Sequence, residues 1–134
     1  MVNDELTQKI IGCAYKVSNT LGSGFLEKVY ENAYAREISK SGLKVQQQYP
    51  IKVFYDGDMV GEFAADLLVE ETVLIELKAV RELDEIHMAQ AMNYLKATGL
   101  QICLLINFGK PKVEIRRIVP YEIWQGKKPE ILRK

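Results

Sequence analysis

Histidine occurs once in the 134 residues, as His87, and cysteine twice, as Cys13 and Cys103. Neither cysteine belongs to a CxxC pair or has the histidine beside it. They fall on an expected helix and an expected buried strand, the pattern of core thiols in a reducing compartment. Net charge is missing too, because 18 basic residues balance 18 acidic ones. Global charge therefore gives no pull toward nucleic acid, and any such binding needs a local basic patch. No run reaches the roughly 18 apolar residues of a membrane span. The opening MVNDELTQK is polar and acidic, unlike a signal peptide. Repeats, low-complexity tracts and linkers are absent as well. The expectation is one domain over residues 1–134, without a membrane partner and in the cytoplasm, since this length supports a single core and not two.

What is present is a clear succession of elements. Leu6, Ile10, Val17 and Leu21 mark one stripe of a first helix, capped by Asn3 or Asp4 and ending near Gly22. A second helix is expected from Phe25 to about Lys40. Val45 to Tyr55 reads as a strand, with Pro50 pointing to a bulge or an edge position. Asp56-Gly57-Asp58 is a hairpin turn, and Met59–Val69 and Val73–Val80 follow as strands. Leu83 to Thr98 reads as a helix closed by Gly99, Gln101–Asn107 as a buried strand, and Lys112–Val119 as its partner. The order α-α-β-β-β-α-β-β predicts an α/β (α+β) fold with helices around one mixed sheet.

The stretch from Phe63 to Val80, FAADLLVEETVLIELKAV, carries the chemistry. Glu76 and Lys78 are two apart on a strand and point the same way. That strand is otherwise continuously apolar, as in a sheet covered on both sides. Charges embedded in such a run need partners or a metal; a solvated strand face with a weak ion pair is the plainer alternative. Asp66 stands on the preceding strand, and the turn at Glu70-Glu71-Thr72 decides whether it meets Glu76. A two-residue loop pairs Asp66 with Ile75 and separates the acids. A three-residue loop or a bulge pairs Asp66 with Glu76, with Cβ atoms roughly 5 Å apart. Two such carboxylates suit Mg²⁺ or Mn²⁺, since Mg²⁺ takes one or two protein carboxylates and fills its shell with water and phosphate oxygens. Lys78 beside them can orient a water or stabilise charge developing on phosphorus. The residue types fit metal-assisted phosphodiester hydrolysis.

Asp66, a hairpin, then Glu76-Leu77-Lys78 resembles the PD-(D/E)XK nuclease superfamily, although Ala65 stands where its hallmark proline would be. Gln90 and Tyr94 resemble the QxxxY motif of RecB-type nucleases. Gly24, Glu27 and Tyr30 match the motif that names the GxxExxY protein family, a PD-(D/E)XK-like group. The resemblance implies a restriction-endonuclease-like core, a metal-dependent nuclease acting on nucleic acid with DNA favoured, and Glu27 as a third acid at the metal.

Each residue also has a structural reading. Glu27 suits the N3 position of a helix cap, and Tyr30, one turn on, reads as a core tyrosine holding its carboxylate. Gln90 and Tyr94 share a helical face; they either position Lys78 or a nucleic-acid backbone, or are a solvated Gln and a half-buried Tyr. His87 reads as a surface or packing residue. Lys110, Lys112, Arg116 and Arg117, with Lys127, Lys128, Arg133 and Lys134 at the tail, are the candidates for phosphate contacts. A non-catalytic nucleic-acid- or protein-binding module is the main rival, and a phosphatase or other small-substrate metal hydrolase a third reading. A homodimer would grip a duplex better.

Overall fold

A computed structural model describes residues 4–120. Five strands, β1 (Val45–Tyr55), β2 (Asp58–Val69), β3 (Val73–Lys78), β4 (Ile102–Asn107) and β5 (Glu114–Ile118), lie side by side in chain order. β3 and β4 are parallel, and every other neighbouring pair is antiparallel. A parallel pair needs a long crossover, here α3 (Glu85–Thr98). Helices α1 (Asp4–Leu21) and α2 (Glu27–Lys40) supply the core on one face of the sheet, together with Leu67, Ile75, Leu77 and Leu104. The other face gathers Leu68, Leu74 and Cys103 under Ala91, Tyr94 and Leu95 of α3. Covered on both sides, β3 needs apolar residues at successive positions, and Val73, Leu74, Ile75 and Leu77 are all buried. Each contributes roughly 1.5–3 kcal/mol relative to exposure. The α-α-β-β-β-α-β-β order read from the sequence is the observed one. The tail beyond Pro120, with its four basic residues, lies outside the described residues, as does Asn3.

Two connections set the registers. Asp56 and Gly57 both have positive φ, 52° and 85°, which makes a two-residue hairpin turn whose twist matches the flanking strands. The β2–β3 loop holds three residues, Glu70 to Thr72, because Val69 still pairs with Val73. Glu70 and Glu71 carry the unfavourable left-handed backbone, at 53° and 52°. Contacts with Lys44 hold them there: its N–H donates to Glu70 Oε2, its C=O accepts from Glu70 N, and its Nζ pairs with Glu71. The odd loop length brings Leu67 opposite Ile75, and hence Asp66 beside Glu76 on one face.

Pro50 sits on β1, an edge strand, and a register shift follows at Val53/Phe54. Helix α2 starts at Glu27 and not at Phe25, and α3 at Glu85, where Asp84 caps it. No helix among the described residues is long and apolar enough to cross a membrane.

After β3 the chain is pinned from β4. Asn107, fully buried, accepts from Val80 N and Gly109 N through Oδ1 and donates to Val80 O through Nδ2. A Cβ on Gly109 would lie 2.3 Å from Val80 O and 2.5 Å from Val80 N. Gly109→Ala must therefore push this backbone away, two residues from Lys78. We expect it to cost roughly 1–3 kcal/mol, measured by urea unfolding; an unchanged midpoint would contradict the packing.

Candidate active site

The β2–β3 ladder stops at Leu67–Ile75, and side chains take over from the backbone there. Asp66 N–H donates to Glu76 Oε2 at 2.8 Å, and Leu77 N–H donates to Asp66 Oδ2 at 2.7 Å. The carboxylates thus clip the strands together at the point where the regular ladder ends. Alternation puts Asp66, Glu76 and Lys78 on the face covered by α3. Lys78 Nζ donates to Gln90 Oε1 at 3.4 Å, and Gln90 Nε2 donates to Tyr94 OH at 3.2 Å. Asp66, Glu76, Lys78, Gln90 and Tyr94 are therefore brought together, with Gln90 bracing the amine and Tyr94 bracing Gln90.

Glu76 is only 5% exposed, and burial followed by the charge of Asp66 lifts its carboxyl from 4.5 to about 8. Asp66 is raised as well, first by burial, while the Leu77 N–H opposes the shift and the charges of Glu31 and Glu27 add to it. Burial also raises Tyr94, with the Glu76 charge second. Among the described residues Glu76 Oε1 has no hydrogen-bond donor, and Lys78 makes no ion pair. A buried carboxylate oxygen without a donor, next to a second carboxylate, is a donor set that a divalent cation satisfies. No group of three His, Cys, Asp or Glu side chains among the described residues is gathered closely enough to hold an ion. The cation would thus take two protein carboxylates, which is within the habit of Mg²⁺.

Glu31 and Gln48 complete the surroundings, and the sequence reading missed both. Glu31, buried, accepts from Lys28 Nζ at 3.0 Å, Gln47 Nε2 at 2.8 Å and Gln48 Nε2 at 2.9 Å. Burial pushes its carboxyl up, but the donors from Gln47, Lys28 and Gln48 together hold it below the usual range. Gln48 Nε2 also reaches Asp66 Oδ1 at 3.4 Å, so one amide bridges two acids. Gln48 has φ 55° between residues paired in the ladder, a strained conformation for a side chain other than glycine. The signal for Glu31 was its position four residues after Glu27, on the same helical face. The sequence carries no signal for the backbone of Gln48.

Other candidates stand elsewhere. Glu27 is the first residue of α2 and exposed; Leu26 is the N-cap position, so the N3 capping role is not the one observed. Its charge is the smallest of the principal influences that raise Asp66 and Glu76. Tyr30 does not hold Glu27. It is fully buried, stacked on Phe108 at 4.8 Å, and its hydroxyl donates to Gly22 O and accepts from Phe25 N. The preceding turn, bent by the positive φ of Gly22 and Gly24, presents those groups to it. His87 serves the α3 capping box, its Nδ1 accepting from Asp84 N at 3.1 Å. The basic residues do not form one surface. Arg117 crosses to α1, on Asp4 and Thr7, while Arg116 pairs with Glu114 at 3.0 Å and Lys110 lies 4.0 Å from the same acid. Lys112 is exposed without an ion pair among the described residues.

A mixed sheet held between helices, with two acids and a lysine at the end of a strand pair, defines a class of phosphodiester-cutting folds. The chain belongs to the PD-(D/E)XK nuclease superfamily, whose family model matches residues 4–118. Among solved structures it is similar to an alkaline exonuclease from Laribacter hongkongensis, at 18% identity and TM-score 0.53, over 94% of this chain and 75% of that one. The same exonuclease in complex with dAMP matches over 87% and 71% of the two chains, again at TM-score 0.53. A third structure, SSO0001, matches at 14% identity and TM-score 0.55, over 87% of this chain and 58% of its own. At these identities the likeness is one of fold, the restriction-endonuclease-like core expected above. No curated protein sequence matches the chain.

Proposed function

We propose that this protein hydrolyses phosphodiester bonds in nucleic acid, with Mg²⁺ or Mn²⁺ held by Asp66 and Glu76. The observation that carries the reading is the pair of interlocked carboxylates with Lys78 on the same face, braced by Gln90. The bound cation would supply Lewis acidity toward a phosphoryl oxygen. Lys78, paired with no acid among the described residues, keeps its charge available to orient the attacking water and to stabilise charge growing on the phosphate. Gln90 and Tyr94 limit the arcs that amine can sweep. Gln48 and Glu31 hold Asp66 in place from the side, and Glu27 adds a negative charge at the margin. DNA is the favoured substrate, because the neighbouring exonuclease binds dAMP. The reading is tested by a metal-dependent cleavage panel of labelled DNA and RNA, with Lys78→Ala alongside.

Gln48 gives a second check. Gln48→Gly removes the bridging amide but relieves the left-handed strain, so stability should change by less than about 1 kcal/mol. Cleavage should fall on the order of ten- to a hundredfold through a misplaced Asp66, with oligonucleotide affinity unchanged. Activity equal to wild type would remove Gln48 from the positioning set.

The rival is a nucleic-acid- or protein-binding module on the nuclease fold. Zero net charge and the ion pairs that occupy Arg116, Arg117 and Lys110 favour it. Wild-type protein that binds nucleic acid with Mn²⁺, yet turns over nothing beyond Lys78→Ala, would establish it.

A further inference from the structure

A groove of about 670 Å³ runs between the β1–β2 hairpin and α3, and its wall includes Gln90 and Tyr94. Gln90 also accepts from Lys78 Nζ and donates to Tyr94 OH, so the groove borders the candidate active site through these two residues. Its lining is mainly apolar and aromatic. Phe54 is 53% exposed and Phe63 51%, and the Phe63 ring lies 6.0 Å from that of Tyr94. Exposed aromatic rings at the lip of a cleft remain uncovered only at a cost, and they mark a contact surface. Lys52 and Lys96 also line the groove, and neither makes an ion pair with any described residue.

We propose that this groove seats unpaired bases of a single-stranded nucleic acid, next to the phosphate held at Asp66, Glu76 and Lys78. The inference rests on the phosphodiesterase reading and deepens it by naming the strand state of the substrate. Three features select this occupant. The groove shares Gln90 and Tyr94 with the surroundings of the site, so a chain whose phosphate lies at the acids has its neighbouring residue beside the groove. A nucleic acid combines flat apolar bases with anionic links, and the aromatic wall with two lysines unpaired among the described residues matches both parts. In a duplex the base faces are already stacked on one another, so only an unpaired strand has them free for Phe54 and Phe63. Base–aromatic stacking is sequence-tolerant, hence base identity should matter little.

The test is fluorescence anisotropy on the full chain with three labelled probes: a short single-stranded DNA, the same strand with abasic positions, and a blunt duplex. Cleavage of each is followed separately in Mn²⁺. The single strand should bind at least about tenfold tighter than either other probe. Phe54→Ala and Phe63→Ala should each weaken it roughly five- to a hundredfold, the range for one lost stack, and leave abasic binding unmoved. Both side chains are half exposed, so the variants should fold, which circular dichroism checks. Equal affinity for base-bearing and abasic strands, or wild-type affinity in both variants, overturns the proposal. So does a dimer that Phe63→Ala dissociates, because a second copy would then fill the groove. Base-dependent binding without cleavage supports the groove and counts against the nuclease reading. Metal-dependent cleavage that ignores Phe54 and Phe63 does the reverse.

Discussion

Lys78→Ala should lose at least about a hundredfold in cleavage rate, the scale for removing one charged group that acts mainly in the transition state. Its metal-induced stabilisation should stay as in wild type, because an ammonium is not a metal ligand and Lys78 pairs with no acid among the described residues. Asp66→Ala should lose both cleavage and metal response. Its metal-free stability reflects two opposed effects, relief of repulsion from Glu76 and loss of the acceptor for Leu77 N–H. Affinity for nucleic acid should fall far less than rate in both variants, since grip comes from residues outside the acid pair. Single-turnover cleavage, thermal shift with Mn²⁺ and anisotropy on the same preparations check the three statements. A Lys78→Ala enzyme that cuts at the wild-type rate would remove the amine from the mechanism.

The second large effect is on stability against pH. The Glu76 carboxyl, ordinarily at 4.5, is raised to about 8 in the folded protein. The folded state then keeps a proton that the unfolded chain gives up, so metal-free stability falls as pH rises. The contribution is complete below about pH 4.5 and lost by about pH 8. Asp66, raised in the same direction, adds to the slope. The total should reach a few kcal/mol. A divalent cation needs the ionised carboxylates, so stabilisation by Mn²⁺ should grow over the same window. At a hundredfold excess over its dissociation constant it should reach about 2.7 kcal/mol. Glu76→Gln cannot ionise and still accepts from Asp66 N–H, so its Tm should change less with pH and respond little to Mn²⁺. Melting curves from pH 5 to 8, with and without Mn²⁺, decide the matter. If wild type and Glu76→Gln run parallel and Mn²⁺ moves neither, the acid pair is not a metal site.

The element order and the shared face of Glu76 and Lys78 were legible in the sequence, because periods of two and 3.6 are properties of a strand or a helix by itself. The pairing of Asp66 with Glu76 was legible as a condition: an odd loop, which the three residues Glu70 to Thr72 supply. The joint orientation of Gln90 and Tyr94 followed from their spacing along one helix. Other features depended on elements far apart in the chain. Gln48 on β1 joined Glu31 on α2 to Asp66 on β2, Tyr30 turned its hydroxyl to its own loop, and Arg117 crossed to α1. Periodicity says which way a side chain points; its partner depends on how the layers pack. The sequence by itself therefore determined the chemical groups of the candidate site and the face that carries them. Only the tertiary structure decided which acids are buried, braced or exposed, because desolvation and hydrogen bonding arise when α2, β1 and α3 close around the strand ends.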